Sequence, residues 1–154
     1  MNLDFRNNNY RFNARASVII FNADKTKILL FKVEDGRDYY MLPGGRIEIF
    51  EDSKSAIARE VREELGYELD FDLCSVQENF ITKENQKIMQ YCFCYKATYK
   101  NEIKDNIFKC KDNDNQQFYW VDINEISKYK IYPESTYKLL DSDKIKHFIE
   151  KKNE

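Results

Sequence analysis

The chain has 154 residues, of which 42% are hydrophobic and 15% aromatic, with four glycines and two prolines. This length and composition fit one folded domain, residues 1–154, with a sizeable core, and exclude a disordered or collagen-like chain. A formal net charge of −2 supplies no overall basic field for nucleic acid or a membrane surface.

The opening MNLDFRNNNYRF lacks an apolar h-region and a small-residue cleavage site, so it does not read as a secretory signal. RASVIIFN (Arg15–Asn22) and KILLFKV (Lys27–Val33) are short and rich in aliphatic and β-branched residues. Joined by ADKT, they predict a hairpin or neighbouring strands. EDGRD is a loop, YYMLPGG an extended piece ending in a Pro-Gly-Gly break, and RIEIFED a polar loop.

Ser53–Leu65 is the strongest helix candidate. Asp52 or Ser53 serves as N-cap, Ile57, Ala58, Val61 and Leu65 form an apolar stripe, and Gly66 stands where a C-terminal glycine belongs. At ~100° per residue the stripe and the acids Glu60, Glu63 and Glu64 take different sides. Further strands are expected in YELDFDLCSV, IMQYCFCYKATY and FYWVDI. The polar KNEIKDNIFKCKDNDNQQ between the last two is long for a plain connection, and reads as a specificity lid or a mobile loop. After Pro133, STYKLLDS and DKIKHFIEKK read as two short helices, the second with Ile145, Phe148 and Ile149 on one side. Helices within and after the strands predict a mixed sheet covered on two faces. No apolar run is long enough to span a bilayer as a helix.

The four cysteines, Cys74, Cys92, Cys94 and Cys110, form no C-x-x-C pair, and His147 is the only histidine. Reduced, buried thiols and a cytoplasmic location are expected, and a zinc site is not.

Three glutamates crowd into REVREELG. Glu60, Glu63 and Glu64 stand at i, i+3 and i+4, where like charges repel by about 0.2–0.5 kcal/mol per pair. Clustered carboxylates of one sign are what a hard divalent cation prefers, and such a cation removes the repulsion. An acid cluster on a helix is more often a plain solvated face; the wider spacing decides otherwise.

That wider segment, GRIEIFEDSKSAIAREVREELGY (Gly45–Tyr67), resembles the Nudix box, whose pattern is G-x5-E-x7-R-E-U-x-E-E-x-G-U with U a bulky aliphatic. Gly45, Glu51, Arg59, Glu60, Val61, Glu63, Glu64 and Gly66 fit, and only Tyr67 departs. The resemblance implies a Nudix-like α/β/α sandwich, a mixed β-sheet between helices. It also implies a metal-dependent hydrolase that cleaves a nucleoside diphosphate linked to another group, using Mg²⁺ or Mn²⁺. Glu60, Glu63, Glu64 and the Gly44 carbonyl match metal ligands, and Glu60, Glu63, Arg59 and Glu51 match the catalytic set. Arg46 sits where a cation near the phosphates is expected, and Asp112 and Asp114 are both candidates for an additional loop acid.

Tyr39, Tyr40, Phe50, Tyr119 and Tyr132 are stacking candidates, with Tyr40 preferred because it leads into LPGG. Arg15, Lys32 and Arg37 read as solvated surface rather than phosphate contacts. The short chain favours nucleoside triphosphates or small nucleotide derivatives. The downstream proline of ADP-ribose hydrolases is missing, with Thr82 near its place, as is the S-Q-P-W-P-F-type signature of NADH hydrolases. No stable nucleic-acid or membrane partner is expected, and the resemblance allows a homodimer. A nucleotide-sensing module without hydrolysis and an RNA-end-processing enzyme are the competing readings.

Overall fold

A computed structural model describes residues 1–154. The chain begins with a hairpin, β1 (Asp4–Asn7) and β2 (Tyr10–Phe21), followed by β3 (Lys27–Val33), β4 (Tyr40–Met41) and β5 (Gly44–Arg46). The helix α1 (Ser53–Leu65) leads to two long strands, β6 (Asp72–Lys83) and β7 (Gln86–Thr98), then to β8 (Ile107–Lys109) and β9 (Gln116–Asp122). A 3₁₀ turn (Ile123–Lys128), β10 (Ile131–Tyr132), the one-turn α2 (Thr136–Leu139) and β11 (Lys146–Asn153) complete it.

The strands form one mixed sheet whose central path runs β10-β4-β3-β2-β7-β6-β11. β2 pairs in parallel with β7 along its whole length, and β1 and β5 share its other edge. Along β2 successive side chains point to opposite faces. Ala14, Ala16, Val18 and Ile20 join α1 in one core cluster, together with Leu29 and Phe31 of β3. Ile19 and Phe21 join Ile28, Leu30, Ile126, Ile131 and Leu139 in a second cluster on the other face. The expected mixed α/β architecture holds, with α1 on one face and the 3₁₀ turn and α2 on the other.

The helix occupies the predicted span because its caps fix both ends. Asp52 accepts from the Ser55 amide at 2.8 Å, and Gly66 closes the helix at φ 73°, its N–H donating to the Arg62 and Val61 carbonyls. All four cysteines are buried and unpaired.

Two expectations are extended and one is corrected. β2 and β3 are antiparallel neighbours, as one of the two sequence readings has it, but they meet at a single register pair, Phe21↔Ile28, and β3 lies along β9 over seven residues. The long polar connection contains β8, which pairs with β9. DKIKHFIEKK is not a helix. Its core is β11, parallel to β6 at the sheet edge, with burial alternating residue by residue. Phe148 turns inward while Ile145 and Ile149 are exposed, so the spacing that suggested a helical stripe is a period of two at an edge. His147 sits on this strand, 2.5 Å from Glu78.

Candidate functional site

The site is assembled where β5 and the loop after it meet α1. Glu51 binds Arg59 with both oxygens, at 2.8 and 3.0 Å, and also accepts from the Glu48 amide. Arg59 donates to Glu60 at 3.0 Å and to the Arg46 carbonyl at 3.1 Å, and lies 3.5 Å from Glu63. This bidentate pairing pulls the Glu51 carboxyl below its ordinary range and pushes the Arg59 guanidinium above its own. Four residues of the box thus form one charge network that ties the helix to the β5 loop.

The acids differ sharply in setting. Glu64 is buried, only 7% exposed, beside Ala56, Ile57, Val61 and Leu65, so it borders the apolar stripe and the expected separation of the two sides is incomplete. Its Oε2 has no hydrogen-bond partner. Burial, with the Glu60 carboxylate beside it and Asp112 farther out, pushes its pKa up to about 9, against a smaller pull from Arg15. Glu60 lies against the backbone of Gly45, where an added Cβ would stand 2.4 Å from its carboxyl. Glu63 is half-exposed at the rim. Of the two loop acids, Asp112 is the one whose charge acts on Glu64, and it accepts from the Cys110 thiol at 3.0 Å.

These side chains are not gathered into a ready-made cluster of three metal-binding groups, because Arg59 holds Glu60 and draws on Glu63. The residues nonetheless fit a cation: a buried carboxyl oxygen without a partner, facing a second carboxylate, is the group a cation satisfies. A folded pKa raised above the unfolded value of ~4.3 means the folded protein keeps a proton that the unfolded chain has lost. Stability then falls as pH rises through that window. The thermal midpoint in chelator should drop between about pH 5 and about 9, and millimolar Mg²⁺ should flatten the drop. A midpoint at pH 8 that ignores Mg²⁺ and Mn²⁺ alike would remove the cation from this site.

Arg46 is joined to a group that sequence reasoning missed. Asp4 receives both Arg11 nitrogens, at 2.7 and 2.6 Å, and Arg46 as well. Arg6 and Arg15 add their charge around Arg46, whose own pKa is drawn down by burial and whose Nε lacks a partner. Three arginines, Arg11, Arg46 and Arg6, therefore act on a single aspartate at the edge made by β1, β2 and β5, with Arg15 adding its charge near Arg46. The available signal was YRFNA, in which Tyr10, Phe12 and Ala14 alternate with Arg11 and Asn13 as a strand requires.

Tyr40 is placed elsewhere. It packs into the second core cluster, edge-on to Tyr119 and Tyr129 at 5.3 and 5.0 Å, with Lys32 over its ring. The structure does not bring it to the box acids, because β4 turns Tyr40 toward the sheet face opposite α1.

A family model described as NUDIX domain matches residues 11–142. No curated protein matches the chain. Among solved structures, the mutator MutT protein from Bacillus halodurans is 18% identical with a TM-score of 0.68, covering 88% of this chain and 86% of that one. The dihydroneopterin triphosphate pyrophosphohydrolase of E. coli is 18% identical with a TM-score of 0.62, covering 83% and 92%. The NUDIX domain of Shewanella oneidensis NrtR, solved in complex with ADP ribose, is 14% identical with a TM-score of 0.64, covering 89% and 86%. At these identities the likeness is one of fold.

Proposed function

The chain belongs to the NUDIX domain family, and from that premise we propose that it hydrolyses a nucleoside diphosphate linked to another group in a metal-dependent reaction. Nucleoside triphosphates and small nucleotide derivatives are its substrate range. The observation that carries this reading is Glu64, a buried acid with an unpartnered oxygen and a second carboxylate beside it. Such a pair is costly alone and is stabilised by a hard cation.

Glu60, Glu63, Glu64 and the Gly44 carbonyl would hold Mg²⁺ or Mn²⁺. When bound, the ion neutralises diphosphate charge and lowers the pKa of a coordinated water. The chain's own groups do the rest. Glu51 and Arg59 fix the orientation of Glu60, leaving one of its oxygens to the site. Glu63, half-exposed and with no bond shorter than 3.5 Å to Arg59, is the acid we assign to accept the proton lost by the attacking water. Arg46, with Arg15 and Arg11, offsets phosphate charge at the β5 edge, the substrate anion sharing the arginines with Asp4. Attack at phosphorus releases a nucleotide and a phosphorylated leaving group.

The test is a panel of triphosphates, oxidised triphosphates, ADP-ribose, dinucleoside polyphosphates and nucleotide sugars with Mg²⁺, products separated by chromatography, with Glu63→Gln alongside. Metal-dependent cleavage of one class, reduced by about 10²–10⁴-fold in the variant, is the expected result. No turnover of any compound, with nucleotide binding intact, would replace the hydrolase by a nucleotide-sensing module.

A further inference from the structure

On the sheet face opposite α1, four amide side chains lie in a row across three strands. Ser135 Oγ donates to Gln77 Oε1 at 3.0 Å, and Gln77 Nε2 to Asn79 Oδ1 at 3.0 Å. Asn79 Nδ2 donates to Gln90 Oε1 at 3.5 Å, and Gln90 Nε2 to Asn13 Oδ1 at 2.9 Å. Gln77 and Asn13 are nearly fully buried. A core would normally be apolar here, and the neighbouring stretches of these same strands are.

Gln77, Asn79 and Gln90 line one wall of a cavity of about 390 Å³, and Tyr39 and Tyr132 line another, edge-on at 4.9 Å. Within the row Gln77, Asn79 and Gln90 each give one N–H and accept at one lone pair. Each therefore retains a second N–H and a second lone pair. Asn79 and Gln90, half-buried, line the cavity and carry that remaining capacity at its wall. An adjacent donor and acceptor match the edge of a nucleobase, which presents the same pair. The tyrosines supply a ring surface.

The row also runs toward the acids. Asn13 ends it, and Arg15, the next residue of β2 on the same face, acts electrostatically on Glu64. Same-face neighbours on a strand are about 6.6 Å apart, within the span from base to phosphates of one nucleotide.

We propose that this cavity binds the base of the nucleotide substrate and that Asn79 and Gln90 select it by hydrogen bonds to its edge. The inference rests on the nucleotide-hydrolase reading for the identity of the ligand, but its test needs no hydrolysis. The protein is titrated calorimetrically in chelator with AMP, GMP, CMP, UMP and ribose 5-phosphate, none of which carries a cleavable anhydride. At least one nucleotide should bind about tenfold or more tighter than ribose 5-phosphate. Gln90→Leu should reduce that advantage about fivefold or more and leave ribose 5-phosphate binding unchanged. Tyr132→Ala should also reduce it, and carries the test if Gln90→Leu does not fold. Equal binding of all five compounds, or an advantage unchanged in the folded variants, overturns the proposal. Base discrimination that depends on Gln90 in a protein that cleaves nothing in the panel would overturn the hydrolase and leave this inference standing.

Discussion

Glu64→Gln should lower kcat/KM by at least ~10²-fold and, in the absence of divalent cations, raise the thermal midpoint. The two effects share one cause. Loss of a partner one shell removed from a metal already costs about 10–100-fold, and a direct ligand costs more. In chelator the same carboxyl is held protonated well above its ordinary range by burial and by Glu60. Glutamine keeps the shape, donates toward Glu60 as the protonated acid does, and needs no proton taken from neutral solution. Each kcal/mol so recovered raises the midpoint of a chain this size by about 2–4 °C. Millimolar Mg²⁺ should then stabilise the natural protein and not the variant. Full activity in Glu64→Gln would show that this carboxyl holds no metal. A lowered midpoint would show that it makes a native contact worth more than its desolvation costs.

Gly44→Ala should unfold the protein or lower its midpoint by about 6–12 °C, whereas Gly45→Ala should spare stability and abolish activity. At Gly44 φ is +152°, and a Cβ would stand 2.1 Å from the Ala16 carbonyl oxygen and 2.8 Å from Ser17 Cα. Both belong to β2, held on either side by hydrogen-bonded strands, so nothing can yield. Strain and overpacking together cost about 3 kcal/mol or more, and each kcal/mol is about 2–4 °C. At Gly45 the obstacle is the end of the Glu60 side chain, which swings aside cheaply and is thereby lost to the site. Differential scanning fluorimetry beside a hydrolysis assay separates the pair. A Gly44→Ala midpoint within 2 °C of the natural one would mean that β5 does not press on β2 as described.

What could be read from sequence was local. The helix was legible to the residue because Asp52, the Ile57–Val61–Leu65 stripe and Gly66 each act within one or two turns. The box pattern was legible because its spacing is fixed by that helix and the glycine turn before it. What escaped depends on pairing between distant segments. β11 shows one inward apolar residue, Phe148, among inward Glu150 and Lys152, so only its register with β6 makes it a strand. The amide row is polar in sequence and buried in the fold, the reverse of the signal that marks a core. Asp4 meets Arg11 and Arg46 only once the hairpin has formed and β5 has joined β2.

β2 carries Ala14, Ala16 and Val18 on one face and Asn13, Arg15 and Ser17 on the other. A slip of one residue against β7 would exchange the two sets, driving a guanidinium under the helix and turning methyl groups to the face that holds the amide row. Such an error could not be partial: the mispaired chain would forfeit its core and its chemistry in the same step. A misregistered copy is thus too unstable to accumulate as a folded but inactive competitor, and the strand proofreads its own alignment.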